Sequence, residues 1–345
     1  LFKDILKDSE SLFLNEVALD PEFMPKEMPY REQQQHYIAE CIKPLLQGRN
    51  GKNLFITGSP GIGKTLAIKH IFRELAEETE DITPLYINCW KKDTGFRMVS
   101  KICEQIGYTW VHNKKTDELF QDILKILNKR PVVICLDECD KAKELDIIYH
   151  FIEDVYKKTI LFVTNESNWI NSLDARLKSR LNLEILNFKP YNLEETQGIL
   201  KKRVEYAFVP NVFEENAFDF IVEKTSEAGD IRKGLFLLKE SGTIAENRSS
   251  KKILFEHAKE VVQKGSFVIK SSSDFDYEER SILELIKENS GKTIRELFNL
   301  YQGEKSYRTF QRKIQELRKN KMVVCEPSED EQSIKVKYLK ALGEY

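Results

Sequence analysis

Gly58-Ser59-Pro60-Gly61-Ile62-Gly63-Lys64-Thr65 is the stretch whose residue types and spacing can do chemistry. It satisfies G-x-x-x-x-G-K-[ST] at every fixed position. Three glycines let the backbone turn so that several N–H groups converge on an anion. A following helix adds free N–H groups and the positive end of its dipole. Lys64 can reach the β and γ phosphates of a nucleotide, and the Thr65 hydroxyl is a hard oxygen suited to Mg²⁺. The expected cradle for ATP or ADP is Ser59, Pro60, Gly61, Ile62, Gly63, Lys64, Thr65 and Leu66. A glycine-rich turn that matches by accident needs no particular flanks. Here an apolar, β-rich run, 53–57, leads in and a segment of helical spacing, 66–78, leads out.

A second group of polar residues follows apolar strands. Val132-Val133-Ile134-Cys135-Leu136 runs into Asp137-Glu138, placing two carboxylates at a strand's C-terminal edge, where ligands bind in open α/β sheets. Asp137 is expected to hold Mg²⁺ with Thr65, and Glu138 to polarise the water that attacks the γ-phosphate. An acid-favouring helix N-terminus is the plainer alternative for the pair. Asn165 closes the next apolar run, 160–164, where its amide can orient that water; a strand-ending turn also favours Asn. Arg176 and Arg180 share one face of a helix, as groups offered to a neighbouring subunit's phosphate or as a solvated basic face. Arg232 lies in the first turn of a helix after Gly229-Asp230-Ile231. Cations favour the other helix end, so this placement points either to a bound anion or to a salt bridge with Asp230 or Glu227.

The elements that must position these groups follow from hydrophobic pattern. Apolar runs at 53–57, 84–89, 132–136, 160–164 and 183–188 alternate with helical stretches, which predicts a doubly wound parallel sheet with helices on both faces. After Pro190 the pattern turns helical, with helices expected over about 193–207, 214–226, 231–246 and 251–264. A Ser-rich linker spans 265–276. Beyond it, helices expected at 277–288, 294–301 and 307–319, then a hairpin of 322–325 with 334–339, make a winged helix-turn-helix. The fold class is therefore α/β then all-α: a P-loop αβα core with an N-terminal arm (1–190), a helical lid (191–264), a linker (265–276) and a winged-helix domain (277–345).

Bulk composition limits the partners. The 345-residue chain has a formal net charge of −2, so nucleic-acid binding needs a local patch. Residues 292–321 supply one, with nine basic and three acidic side chains and a local net of +6. Ser306, Arg308, Thr309, Gln311, Arg312 and Lys313 are the candidate DNA contacts, phosphate and base-edge readers on a helix sized for the major groove. A protein-binding winged helix with a solvated basic face is the alternative. The wing tip opposes DNA, since Glu326-Pro327-Ser328-Glu329-Asp330-Glu331 puts four acids in six residues. Six cysteines without a C-x-x-C pair read as reduced, buried thiols of a cytoplasmic protein, and no apolar run approaches membrane-spanning length.

The order of P-loop, Asp137-Glu138, Asn165, Arg180 and Gly229-Asp230-Ile231-Arg232 resembles that of AAA+ ATPases. Pro29-Tyr30-Arg31-Glu32, Leu173-Asp174-Ala175-Arg176-Leu177-Lys178-Ser179 and Lys189-Pro190-Tyr191-Asn192 narrow the resemblance to the archaeal replication-initiator family, related to the large subunit of the origin recognition complex and to the cell-division-cycle helicase loader. The resemblance covers the whole chain. It implies that Tyr30 and Arg31 line an adenine pocket, with Tyr191 also at the nucleotide. It implies that Asn165 and Arg232 are the two sensors, and that Arg180, or Arg176, completes a neighbour's site in trans. It implies an insertion within about 90–121 whose Arg97 and Lys101 contact DNA, with surface salt bridges as the plain reading of both. It further implies slow ATP hydrolysis as a switch, and as partners double-stranded origin DNA, a second initiator subunit and the replicative helicase. A nucleotide-locked transcription regulator, or another AAA+ ATPase with a winged helix, are the rival readings.

Overall fold

The computed structural model describes residues 11–263 and, further on, 282, 285, 286, 289, 291–301, 307–319, 323–327 and 334–338. Two compact units divide the chain, Leu1–Phe267 and Val268–Tyr345.

In the first unit the expected strands appear within two residues of their predicted ends: β1 Leu54–Thr57, β2 Thr83–Asn88, β3 Val132–Asp137, β4 Lys158–Thr164 and β5 Glu184–Asn187. All pair in parallel, in the order β2-β3-β4-β1-β5. Strand side chains alternate between faces, and two buried clusters result. Ile134, Leu136, Ile160 and Phe162 pack under helices α3 (Gly95–Gln105), α4 (Thr116–Leu127) and α5 (Asp146–Glu153). Val133, Cys135, Leu161 and Val163 pack under α1 (Glu32–Ile42) and α2 (Lys64–Glu78). The same alternation carries Asp137 to the α2 face, beside Thr65. Helix α6 (Ala175–Leu181) precedes β5. Among the described residues no helix is long and apolar enough to cross a membrane.

Four further helices form an all-α layer: α7 Leu193–Ala207, α8 Glu215–Ala228, α9 Ile231–Asn247 and α10 Phe255–Gln263. Asn192 and Glu195 exchange backbone bonds at the start of α7, a capping box. Helix α10 starts later than predicted, because Ile253 is drawn into a bridge with Phe213. The N-terminal arm, grouped by sequence with the αβα core, reaches the helical layer. Its described part packs on this helical layer rather than on the sheet: Leu14 N–H donates to Ala207 O at 2.8 Å, Val209 N–H to Leu12 O at 3.0 Å, and Phe13 meets Phe208 at a ring distance of 4.7 Å. Leu12, Ala18 and Leu19 fill an apolar surface that the layer would otherwise expose.

In the second unit, α11 (Ile294–Leu300) is capped by a reciprocal Thr293–Glu296 box. It packs with α12 (Tyr307–Lys319) through Phe298 and Phe310 at 5.4 Å. Strands β6 (Val323–Pro327) and β7 (Ile334–Tyr338) form an antiparallel pair. Phe310, Ile314, Leu317, Val323 and Val336 share one core. Tyr307 is 36% exposed and rests edge-on against Phe298. The linker 265–276, most of the expected helix 277–288, Ser306 and wing residues 328–331 lie outside the described residues.

Candidate nucleotide and nucleic-acid sites

The loop from β1 to α2 forms because glycine occupies the positions with left-handed backbone. Gly61 has φ +72° and Gly63, the residue before α2, has φ +90°. No side chain caps α2, so its first N–H groups face the loop. Lys64 is 7% exposed and turns back into the loop, where Nζ donates to Gly58 O, Ser59 O and Asn165 Oδ1 at 2.7, 2.8 and 2.7 Å. Burial pulls its pKa down to about 8, against the opposing charges of Glu138 and Asp137.

Parallel pairing brings the other polar groups to the same edge. Thr65 Oγ1 donates to Asp137 Oδ2 at 2.8 Å, and Asp137 is 2% exposed. These are hard oxygen donors, and among the described residues no cluster of three His, Cys, Asp or Glu forms a protein-only cage. One carboxylate and one hydroxyl fit Mg²⁺ shared with phosphates. Tyr86 on β2 donates its hydroxyl to the same carboxylate oxygen at 2.5 Å, and burial, then the Asp137 charge, pushes its pKa up. Sequence reasoning missed Tyr86. Its one signal was a phenol in the run assigned to the strand beside the acids.

Glu138 adopts left-handed backbone, φ +52°, which costs a non-glycine residue about 1 kcal/mol and marks functional turns. The turn aims its carboxylate at Asn165, whose Nδ2 donates to Oε2 and Oε1 at 3.2 and 3.3 Å. Burial, then Asp137 and Asp140, raise the Glu138 pKa. Asn165 thus links the P-loop cation to the acid.

The helical layer reaches the loop from the other side. Ile231 N–H donates to Gly61 O at 3.2 Å, and a Cβ on Gly61 would meet Asp230 Oδ1 at 1.7 Å. Arg232 is paired with Asp230, Nη2 to Oδ2 at 2.8 Å, the salt-bridge alternative of the sequence reading. Its charge still bears on Lys64. Tyr30 is 40% exposed, with its hydroxyl against Gly198. Arg31 is 3% exposed: it donates to Ile62 O at 3.2 Å and Lys189 O at 2.7 Å, and stacks on Tyr191 at 3.7 Å. Its guanidinium is therefore spent on bracing the P-loop. The Tyr191 ring bears on Arg31, and its hydroxyl stands beside Gly63.

Arg180 lies apart from these groups. With Lys52, Asn53 and Lys158 it lines a pocket at the strands' N-terminal ends. β1 alone spans about 13 Å from there to the P-loop. Its guanidinium pairs with Glu153 and lies 5.4 Å from the Tyr149 ring centre. Arg176 is exposed. Arg97 pairs with Asp93, just before α3, at 2.8 Å, and Lys101 with Glu104 on α3 at 2.6 Å. In the second unit Arg308 and Arg312 are exposed, whereas Thr309, Gln311 and Lys313 are partly covered.

A parallel sheet in the order 2-3-4-1-5, with a P-loop after β1, acids after β3, an amide after β4 and a helical layer on the loop, defines a nucleotide-binding protein of the AAA+ class. Residues 47–165 match the AAA domain and residues 197–263 the Cdc6 AAA+ ATPase-type lid domain. An ORC1-type DNA replication protein 1 of Archaeoglobus fulgidus is 30% identical over 322 residues, 87% of this chain and 78% of that one. The namesake from Sulfurisphaera tokodaii is 33% identical over 262 residues, 71% of this chain; that match spans 65% of its length. The chain belongs to the ORC1-type DNA replication protein family. The Aeropyrum pernix ORC1 protein, solved in complex with DNA, shares the fold with a TM-score of 0.79 at 23% identity, covering 96% of this chain and 94% of that one.

Proposed function

We propose that the chain is an ATP-binding replication initiator that grips duplex DNA at origins, helps recruit the replicative helicase and hydrolyses ATP slowly as a switch. The observation that carries this reading is the amide of Asn165 held between Lys64 and Glu138, one strand away from the Thr65–Asp137 pair. That arrangement suits phosphoryl transfer to water, in which positioned charge does most of the work. The P-loop amides and Lys64 take the triphosphate. Thr65 and Asp137 would hold Mg²⁺, which supplies charge neutralisation between the phosphates. Glu138, its basicity raised by burial, accepts the proton of the attacking water, and Asn165 orients it. Arg232 exchanges Asp230 for phosphate oxygen when the lid engages. Arg180, which cannot reach its own P-loop from the opposite end of the sheet, serves a neighbouring subunit, with Arg176 beside it.

The second unit is read as the winged helix of the predicted partition, a core in which helical Ile282 and Ile286 join α11, α12 and the hairpin and which leaves the Arg308 and Arg312 side of α12 outward. Arg97 and Lys101 are the insertion's DNA contacts; both cations lie at the surface, where solvent screens their bridges and phosphate can compete for them. The site of action is chromosomal DNA in the cytoplasm.

Glu138→Gln is expected to retain ATP and DNA binding while turnover falls about a hundredfold; turnover at the unaltered rate removes Glu138 from this role. Footprinting across a source genome is expected to show protection at replication origins. Protection confined to promoters supports the transcription regulator instead.

A further inference from the structure

Asp140 has no place in the nucleotide cradle, yet its side chain is only 9% exposed and both its oxygens are occupied. Oδ1 accepts from Thr164 Oγ1 at 2.5 Å, and Oδ2 pairs with Lys141 Nζ at 2.7 Å. Thr164 is the last residue of β4, and its hydroxyl oxygen also accepts the Glu166 N–H at 2.9 Å. Asn165 lies between those two residues. The amide shared by Lys64 and Glu138 therefore sits in a turn pinned through the Thr164 hydroxyl, and that hydroxyl is held by Asp140. Leaving either buried partner unmatched is costly, so the two hold each other in place.

The same carboxylate leads outward. Lys141 Nζ lies 5.2 Å from the centre of the Trp90 ring, which is 48% exposed. Trp90 opens the segment that follows β2, and this segment is fastened to the loop after β3 at further points. Lys143 N–H donates to Asp93 O at 2.8 Å, Lys143 Nζ pairs with Asp93 Oδ2 at 2.5 Å, and Gly95 N–H donates to Glu144 Oε2 at 2.8 Å. The two segments are thus tied into one body. Lys141 is the group through which Trp90 touches the Asp140–Thr164 pair.

We propose that Asp140 is a positioning residue for the nucleotide site, holding Asn165 through Thr164, and that Lys141 and Trp90 extend this brace to the surface, so that the surroundings of the Trp90 ring and the placement of the Asn165 amide change together. The inference rests on the reading of Glu138 and Asn165 as the hydrolytic pair. Nucleotide that shifts the Asn165 amide is then expected to register at the Trp90 ring.

Thr164→Val removes the hydroxyl at nearly constant volume, and Asp140→Asn weakens both of the carboxylate's bonds. Each is expected to lower the turnover number about tenfold while nucleotide affinity stays within about twofold, and Thr164→Ser is expected to restore turnover. The wild-type chain is expected to change its tryptophan emission when ATP binds, and this change is lost in Trp90→Phe and in Asp140→Asn. The brace is overturned on its own when Glu138→Gln stops turnover but Thr164→Val and Asp140→Asn run at the wild-type rate, or when the emission change survives Trp90→Phe. Undiminished turnover in Glu138→Gln overturns the hydrolytic reading and the brace with it. Should Asp140→Asn fail to fold, the Thr164 pair of variants and Trp90→Phe decide.

Discussion

The nucleotide edge of the sheet and the exposed side of α12 are both polar, but they are built on opposite principles. At the sheet edge Lys64 and Asp137 are buried and Asn165 half-buried, and each spends its hydrogen bonds on named partners a strand or a loop away. On α12 the Arg308 and Arg312 side chains are exposed, and the core beneath them serves as a platform. The first region works by preorganisation in a low-dielectric setting, where a single misplaced group is expensive. The second, on the proposed function, presents charge to a polyanion, where each group adds a modest, salt-screened increment. Substitutions should therefore hit hard and specifically in one region, and softly and additively in the other.

The largest expected effect is at Lys64. Lys64→Ala removes a buried cation with three partners, and ATP affinity should fall by about a hundredfold or more in a fluorescent-nucleotide titration, with DNA affinity unaltered in nucleotide-free buffer. Gly61→Ala comes next. It forces a Cβ into Asp230 and a side chain into left-handed backbone, so nucleotide affinity should fall about tenfold in the same titration. An unaffected affinity in Gly61→Ala would mean that the lid contact is not needed at the P-loop, and the contrast between the two regions would blur.

Smaller effects belong to the second unit. Arg308→Ala with Arg312→Ala should weaken duplex binding by about tenfold at moderate salt and reduce the log–log salt slope by roughly two units. An unaltered slope would show that α12 is not the phosphate-facing surface. Thr293→Ala breaks the capping box of α11 and should cost the unit about 1 kcal/mol in chemical denaturation, leaving nucleotide affinity unaltered.

Much of this is legible in the order of the amino acids. The P-loop, the acids after an apolar run and the asparagine after the next are signals carried within one strand and one turn, where covalent spacing alone sets the geometry. Helix limits are readable for the same reason, Leu193–Ala207 and Tyr307–Lys319 above all, because caps and apolar periodicity act over three or four residues. The basic face of α12 is visible as a count of charges on one side of a helix.

What needed the tertiary structure is every contact between residues far apart in the chain. Tyr86 reaches Asp137, Asn165 joins Lys64 to Glu138, and Asp140 holds Thr164, because the sheet places β3 between β2 and β4 and sets β4 beside β1. Arg31 read as part of a base pocket, and only the fold shows that its guanidinium also braces the P-loop carbonyl of Ile62. The arm read as part of the sheet domain and packs on the lid, where Phe208 offered the apolar surface it could cover. Spacing along a chain encodes local bonds; strand order and burial choose the distant partners, and those partners give each polar group its protonation, its aim and its work.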